Sequence, residues 1–591
     1  MHGKIGDLRP SQIISTFGPG AIVDLPDFSI VVAGLDFWDR KICAEIHEPR
    51  LEKKLGLRKI LAPPTLEHED TQGTLPAFRF PEYLVCPKCR RIAPDSRFYV
   101  DPETQVAYCT CDPHGRVQVF PSRFIVACPD GHLSDFPWHR YVHLKKGNFS
   151  CPGRRLRLED RGVTGSIADV EVVCDDCGAH NTMADAFMES TDALGHCPGR
   201  RPWLGRAVPP QRCSRRPRAI LRGASNAYFP MVESALHIPP YTSPVHQAVS
   251  SVMDRLTKIA SINALETAIA MGVLRELEEF SLSETWSAIL EQRSLAEGPT
   301  ADILYPEWRA LCQSQVGGGF DFETVPQRVP ASFEGLGSRL VMVRRLVEVR
   351  VLTGFTRIDP PPDLTSLASE DGEESSTPGT ARMNSRVLDW MPGIVTHGEG
   401  IFLTLNEDAV ARWEFREPVS QASGALKTAL AQYYDDRRIQ SSQRPEFPGA
   451  RYVLLHTLAH VLMRQLCLHS GYSSTSLRER IYSRRSQNEA MAGLLIYTAT
   501  PDSEGSLGGL VEQGSTNRFA EILWAALQGA RLCSGDPLCA EHRPGDVGDL
   551  NGAACHACTL APETSCERSN RLLDRSFLVR TVSRADTAFF D

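Results

Sequence analysis

Several features are missing from this 591-residue chain. No apolar run approaches the roughly 18 residues that a membrane-spanning helix needs, so no membrane association is expected. The opening Met1-His2-Gly3-Lys4 leads into polar sequence without an apolar signal core, and the expected compartment is the cytoplasm. No G-x-x-x-x-G-K-[ST] phosphate loop occurs, which argues against a P-loop ATPase. The G-x-S-x-G nucleophile elbow and the G-x-G-x-x-G dinucleotide fingerprint are absent as well. Lysine is scarce, with 10 residues against 54 arginines. The arginine fork suits phosphates and carboxylates, although a GC-rich genome would give the same bias. With 72 acidic residues the net charge is −8, so any nucleic-acid surface must be a local patch.

The rest of the composition is that of a folded protein, with 42% hydrophobic and 23% charged residues. The length exceeds what one core supports and implies three or four domains. Cysteine is the exception. The chain has 18, a high number for a compartment where thiols stay reduced. Ten lie between Cys86 and Cys213 and five between Cys533 and Cys566, while Cys43, Cys312 and Cys467 stand alone. Such bunching suits metal ligands better than scattered core thiols.

Cys174-x2-Cys177-x19-Cys197-x15-Cys213 is the strongest pattern, because a C-x2-C turn aims two thiolates at one ion and a distant pair completes the tetrahedron. Cys86, Cys89, Cys109 and Cys111 form a second set. There the single residue between the last two is a tight fit, so Cys128 or His132 could replace one of them. In the C-terminal cluster Cys539, Cys555, Cys558 and Cys566 are favoured, with Cys533 as a spare or alternative ligand. Closed quartets have no open position, so the expected cofactor is Zn²⁺, about three structural ions. Cys151, Cys43, Cys312 and Cys467 read as ordinary thiols.

His456 and His460 are four residues apart on one helix face and could hold a catalytic metal. Thr457 stands where a zincin needs glutamate, so a hydrogen-bonded core pair is the competing reading. Asp502 and Glu504, beside Gly505, Gly508 and Gly509, form either an acidic site or a polar turn. The most basic stretch carries Arg200, Arg201, Arg206, Arg212, Arg215, Arg216, Arg218 and Arg222 around Trp203. It suits phosphate contact with base stacking, or a solvated surface laced with salt bridges.

The expected fold is α+β and multidomain, with several zinc-ribbon-like cysteine modules, a helical middle region and an α/β C-terminal zinc-binding domain. The expected divisions are a β-rich segment at 1–85, the cysteine modules at 86–235 and a helical domain at 236–359. A flexible Ser-, Glu- and Gly-rich loop at 360–384 and a C-terminal domain at 385–591 follow. Tyr452 to Leu468 reads as an amphipathic helix, and residues 400–405 and 494–498 as strands.

The run Cys555-His556-Ala557-Cys558, Pro562-Glu563-Thr564-Ser565-Cys566, Asn570 and Leu573-Asp574-Arg575 resembles the zinc-binding C-terminal domain of MrfA-type repair helicases. Leu455-His456-Thr457-Leu458-Ala459-His460 and the Asp502–Gly509 segment look like parts of that same domain. Phe17-Gly18-Pro19-Gly20, Cys128-Pro129-Asp130-Gly131-His132, Arg201-Pro202-Trp203-Leu204-Gly205 and Gly354-Phe355-Thr356-Arg357 resemble the DrmB family of the DISARM anti-phage defence system. The likeness spans nearly the whole chain. It implies a non-catalytic partner of DrmA, a superfamily-2 helicase that hydrolyses ATP. It also implies DNA, with a single-stranded portion, bound through the complex. Two alternatives stand beside it: a metal-dependent nuclease or hydrolase using His456, His460, Asp502 and Glu504, and a pure assembly scaffold without DNA contact.

Overall fold

The computed structural model describes residues 5–64, 74–147, 149–162, 165–188, 192–238, 244–257, 259–297, 302–313, 321–361, 379–437, 439, 441, 444–498, 509–546 and 549–590. One strand, Gly337–Thr356, organises much of it. Its apolar runs Leu340–Val343 and Leu346–Leu352, the second broken only by Glu348 and Arg350, are buried, as a strand covered on both faces requires. Leu340, Val343, Val351 and Phe355 each enter a different packed apolar cluster. It pairs antiparallel with Phe229–His237 on one side and with Trp390–Leu405 on the other. Met491–Thr498 and Leu477–Arg484 extend the sheet beyond Trp390–Leu405, and Glu323–Gln327 and Lys59–Leu61 add short pairings. The division expected near residue 384 therefore falls between two neighbouring strands of one sheet. The middle segment is helical only in part: helices such as Pro244–Ser251, Ile262–Ala270 and Leu282–Glu297 give way to the sheet's longest strand.

The 22-residue helix Gly449–Ser470 packs against Leu477–Arg484, Met491–Thr498 and the helix Thr516–Arg531. Sequence periodicity predicts an amphipathic helix, but the observed one is buried on nearly every side from Ala450 to Met463. The difference lies in the C-terminal tail, where Leu572, Leu573, Phe577 and Leu578 are fully buried and cover the face that would otherwise meet solvent. The helix ends at Gly471, whose φ of 75° is the left-handed cap that glycine supplies without strain. No described helix is long and apolar enough to cross a membrane.

The cysteine-rich N-terminal region is built from small antiparallel sheets. One has six short strands in the order Phe120–Pro121, Tyr83–Val85, Arg91–Pro94, Leu156–Asp160, Val170–Cys174 and His180–Thr182. Another joins Leu133–Asp135, Phe124–Ala127 and Arg218–Leu221. Arg357, at the end of the long central strand, locks this second sheet to the core. Its buried guanidinium donates to Gly131 O at 2.9 Å, to Gly20 O at 2.7 Å and to Ala227 O. Most of the loop expected at 360–384 lies outside the described residues. Its distal end is packed: Ala381 and Met383 are buried, and Ala381 N donates to Phe355 O.

Candidate metal centres

The first cluster follows from a knuckle and a strand. Cys86 and Cys89 flank a turn closed by Arg90 N donating to Cys86 O, with Arg90 in the left-handed region. Cys109 and Cys111 lie on Ala107–Asp112, where residues two apart face the same side. The single-residue spacing that looks tight in sequence is thus natural on a strand. The sulfurs of Cys86 and Cys111 are 3.7 Å apart and those of Cys89 and Cys109 3.8 Å. A disulfide needs about 2.05 Å. A tetrahedron with Zn–S of about 2.3 Å has edges of about 3.8 Å. The donors therefore fit a zinc ion. All eighteen cysteines are free thiols.

The quartet expected from Cys174, Cys177, Cys197 and Cys213 is divided in the structure. Phe124–Ala127 pairs with Arg218–Leu221, Ala127 opposite Arg218, which carries Cys128 beside Cys213. Their sulfurs are 3.6 Å apart, and Cys197 Sγ lies 3.6 Å from His132 Nδ1. Cys128, His132, Cys197 and Cys213 make one cluster. The Gln211 carboxamide oxygen, 3.3 Å from His132 Nε2, can only accept, so it fixes the proton there and leaves the Nδ1 lone pair for the centre. Gly131 shapes the knuckle: its φ is +80° and a Cβ there would lie 2.3 Å from Ala381 Cβ.

Cys174 and Cys177 belong to another cluster. Leu156–Asp160 pairs with Val170–Cys174, Leu156 opposite Cys174, so the approaching chain brings Cys151 within 3.8 Å of Cys174, sulfur to sulfur. His143 completes the group. Its Nδ1 donates to His139 O at 2.7 Å, and its Nε2 is buried without a hydrogen-bond partner. An orphaned imidazole nitrogen among three thiols fits a metal. Sequence reading left Cys151 as an ordinary thiol and did not consider His143. The usable signal was the His143-x7-Cys151 pair upstream of the Cys174-x2-Cys177 knuckle.

At the C-terminus Cys533, Cys539, Cys555 and Cys558 come together, with sulfur separations of 3.6 to 3.8 Å. Cys533, expected as a spare, is a full member, and Cys566 is not. Burial raises the Cys533 thiol, but the Asp536 N–H and the Cys555 side chain outweigh it and leave it at about 7. Arg575 braces this cluster, donating to Cys539 Sγ at 2.9 Å and to the carbonyls of Ala553 and Ala530. Cys566 instead lies beside the helix Gly449–Ser470, grouped with His456, His460 and Glu479. Both histidines are fully buried. Asp502 and Glu504 lie outside the described residues.

The arginine stretch divides as well. Trp203 is fully buried, stands 5.2 Å from the Phe355 ring and donates from Nε1 to Arg382 O, so it offers no face to a base. Arg206 pairs with Glu82 at 2.8 Å, Arg215 with Asp130 at 3.3 Å, and Arg201 donates to Pro209 O. Arg200, Arg212, Arg216 and Arg218 are exposed. Arg215, Arg216 and Arg218 line a cleft of about 860 Å³ together with Asp130, Phe187 and Met188.

Comparison with known proteins fits this construction. Residues 458–559 match the MrfA Zn-binding domain family, a span that contains the four-cysteine C-terminal cluster. Residues 9–229 match a domain of unknown function, DUF8724. A crystal structure of the DUF1998 helicase MrfA bound to DNA matches 38% of this chain and 22% of its own, at 12% identity and a TM-score of 0.18. The class is thus an α+β protein of several cysteine clusters with a C-terminal Zn-binding domain. A DISARM protein DrmB from Bacillus paralicheniformis is 33% identical over 590 residues, covering 96% of this chain and 99% of that one. The chain belongs to the DrmB family of DISARM proteins.

Proposed function

We propose that this chain is a non-catalytic partner subunit of the DISARM helicase DrmA and forms with it a cytoplasmic DNA-binding complex against phage. DrmB membership supports the place in DISARM, and the C-terminal domain shares its family with a helicase, MrfA. Eighteen free thiols suit a reducing compartment. Each of the four clusters with three or four cysteines holds one Zn²⁺ through four donors, which leaves no position for substrate and makes the role structural. ATP hydrolysis then resides in DrmA.

The observation that carries the DNA part is the cleft lined by Arg215, Arg216 and Arg218, beside the Cys128 cluster. A metal-pinned loop presents these cations without first having to order itself, and DNA with a single-stranded portion would lie along it. The zinc ions shape the cleft and take no part in chemistry. The hydrolase reading is weakened at His456 and His460, whose rings are fully buried and grouped with Glu479 and Cys566.

The test is charge reversal, R216E with R218E, in the reconstituted complex with DrmA. We expect DNA binding at about 0.1 M salt to weaken at least tenfold, with a salt slope lower by about 0.7–0.9 per lost phosphate contact. Unchanged binding with an intact complex would favour the assembly scaffold. The chain alone is expected to show neither ATPase nor nuclease activity.

A further inference from the structure

We infer that His456, His460, Glu479 and Cys566 hold a fifth zinc ion, separate from the four clusters of three or four cysteines. Their ligand atoms all lie within 4.8 Å of one another, and His456, His460 and Glu479 are completely buried. His456 Nε2 stands 3.1 Å from Glu479 Oε1 and 3.1 Å from Cys566 Sγ. His460 Nε2 stands 3.4 Å from the same carboxylate oxygen. In a zinc tetrahedron, imidazole nitrogen and carboxylate oxygen sit about 3.4 Å apart.

The protons make the case. His460 Nδ1 faces Thr559 O at 3.0 Å and His456 Nδ1 faces Leu572 O at 3.4 Å. A carbonyl oxygen only accepts, so in each neutral ring the proton sits on Nδ1 and Nε2 carries a lone pair. Both lone pairs then point at a carboxylate oxygen, which is also an acceptor. The sulfur is turned the same way, since Cys566 Sγ accepts from the backbone N–H of Asn570 at 3.2 Å and of Arg568 at 3.4 Å. Glu479 Oε1 accepts from Glu567 N at 3.2 Å. Four electron-pair donors thus converge with no hydrogen among them but that of the Cys566 thiol, which a bound cation displaces, and His460 Nε2 and Glu479 Oε2 are buried without hydrogen-bond partners. A cation satisfies this arrangement at once.

Charge and donor type select the ion. One carboxylate, one thiolate and two neutral imidazoles with a divalent cation sum to zero, as a dry interior demands. Two nitrogens, one sulfur and one oxygen suit zinc, and the carbonyls behind both rings are the outer hydrogen bonds that metal-bound histidines make. The set is closed, so the ion is structural. It staples three segments distant in sequence: the buried helix, the edge strand Leu477–Arg484 and the C-terminal tail. The i, i+4 spacing of the histidines and the inward-pointing Glu479 on an edge strand acquire a purpose.

The test is the zinc content of the full-length chain by native mass spectrometry, for wild type, His460→Gln and Cys566→Ala. Five ions are expected in the wild type and four in each variant. Equal zinc in variants and wild type would overturn the inference. Should the variants fail to fold, anomalous diffraction at the zinc edge from wild-type crystals decides: a peak among the four side chains supports the site, and its absence refutes it. Absence of zinc from the four clusters of three or four cysteines, with an ion still at His456, His460, Glu479 and Cys566, would defeat the four-cluster reading and leave this one standing.

Discussion

Residues 86–119, around the Cys86 cluster, and residues 449–590 both gather cysteines, yet they differ in what else holds them. Around the Cys86 cluster the buried apolar residues are Leu84, Ala107 and Val119, with two of the cysteines themselves completing the group. The C-terminal cluster adjoins a core that runs from Phe333 to Phe590 and includes most of the helix Gly449–Ser470. A small sheet with so little to bury relies on its metal for most of its stability, whereas a large apolar core folds first and uses metal to fix its edge. The same ligand chemistry therefore serves as a core in one region and as a staple in the other.

The sharpest way to break that comparison is to remove the metal. With a strong chelator, hydrogen exchange should show residues 86–119 losing nearly all protection while the helix Gly449–Ser470 keeps most of its own. The expected loss in the first region exceeds its whole stability, given the about 10–16 kcal/mol that zinc supplies in finger peptides. Uniform loss across both regions would erase the distinction.

Next comes the link between the regions. Arg357→Met leaves three carbonyls without their buried donor and should destabilise the N-terminal region by about 3–5 kcal/mol, seen as a lowered first transition in denaturant. In the other region Leu458→Ala, at a fully buried position, should cost about 2–5 kcal/mol and lower only the C-terminal transition. The smallest effect is expected at a helix cap. Asn406 accepts from Ala409 N at 3.0 Å, and Asn406→Ala should cost about 1 kcal/mol with zinc content unchanged.

Local features were the legible ones. The C-x2-C knuckles, the helix around 452–468 and the strands at 400–405 and 494–498 follow from spacing and periodicity, because each depends on neighbours in sequence. Ligand partnership does not. It is set by strand register, Leu156 opposite Cys174 and Ala127 opposite Arg218, which no count of intervening residues contains. Histidines were the other blind spot. His143 carries no C-x2-C signature, and only the fold brings it to Cys151 and Cys174. Trp203 misled in the opposite direction, since an aromatic within a basic run reads as a stacking platform when the fold uses it as core. The even burial of Ala450–Met463 also depends on a tail a hundred residues away.

The central claim is that the N-terminal cysteines form separate clusters, with Cys151 and Cys213 in different ones. Zinc stoichiometry of Cys151→Ser, Cys213→Ser and the double variant tests it most directly. The structure predicts one ion lost in each single variant and two in the double. A Cys151→Ser protein with its full zinc complement, and a double variant missing only one ion, would contradict it.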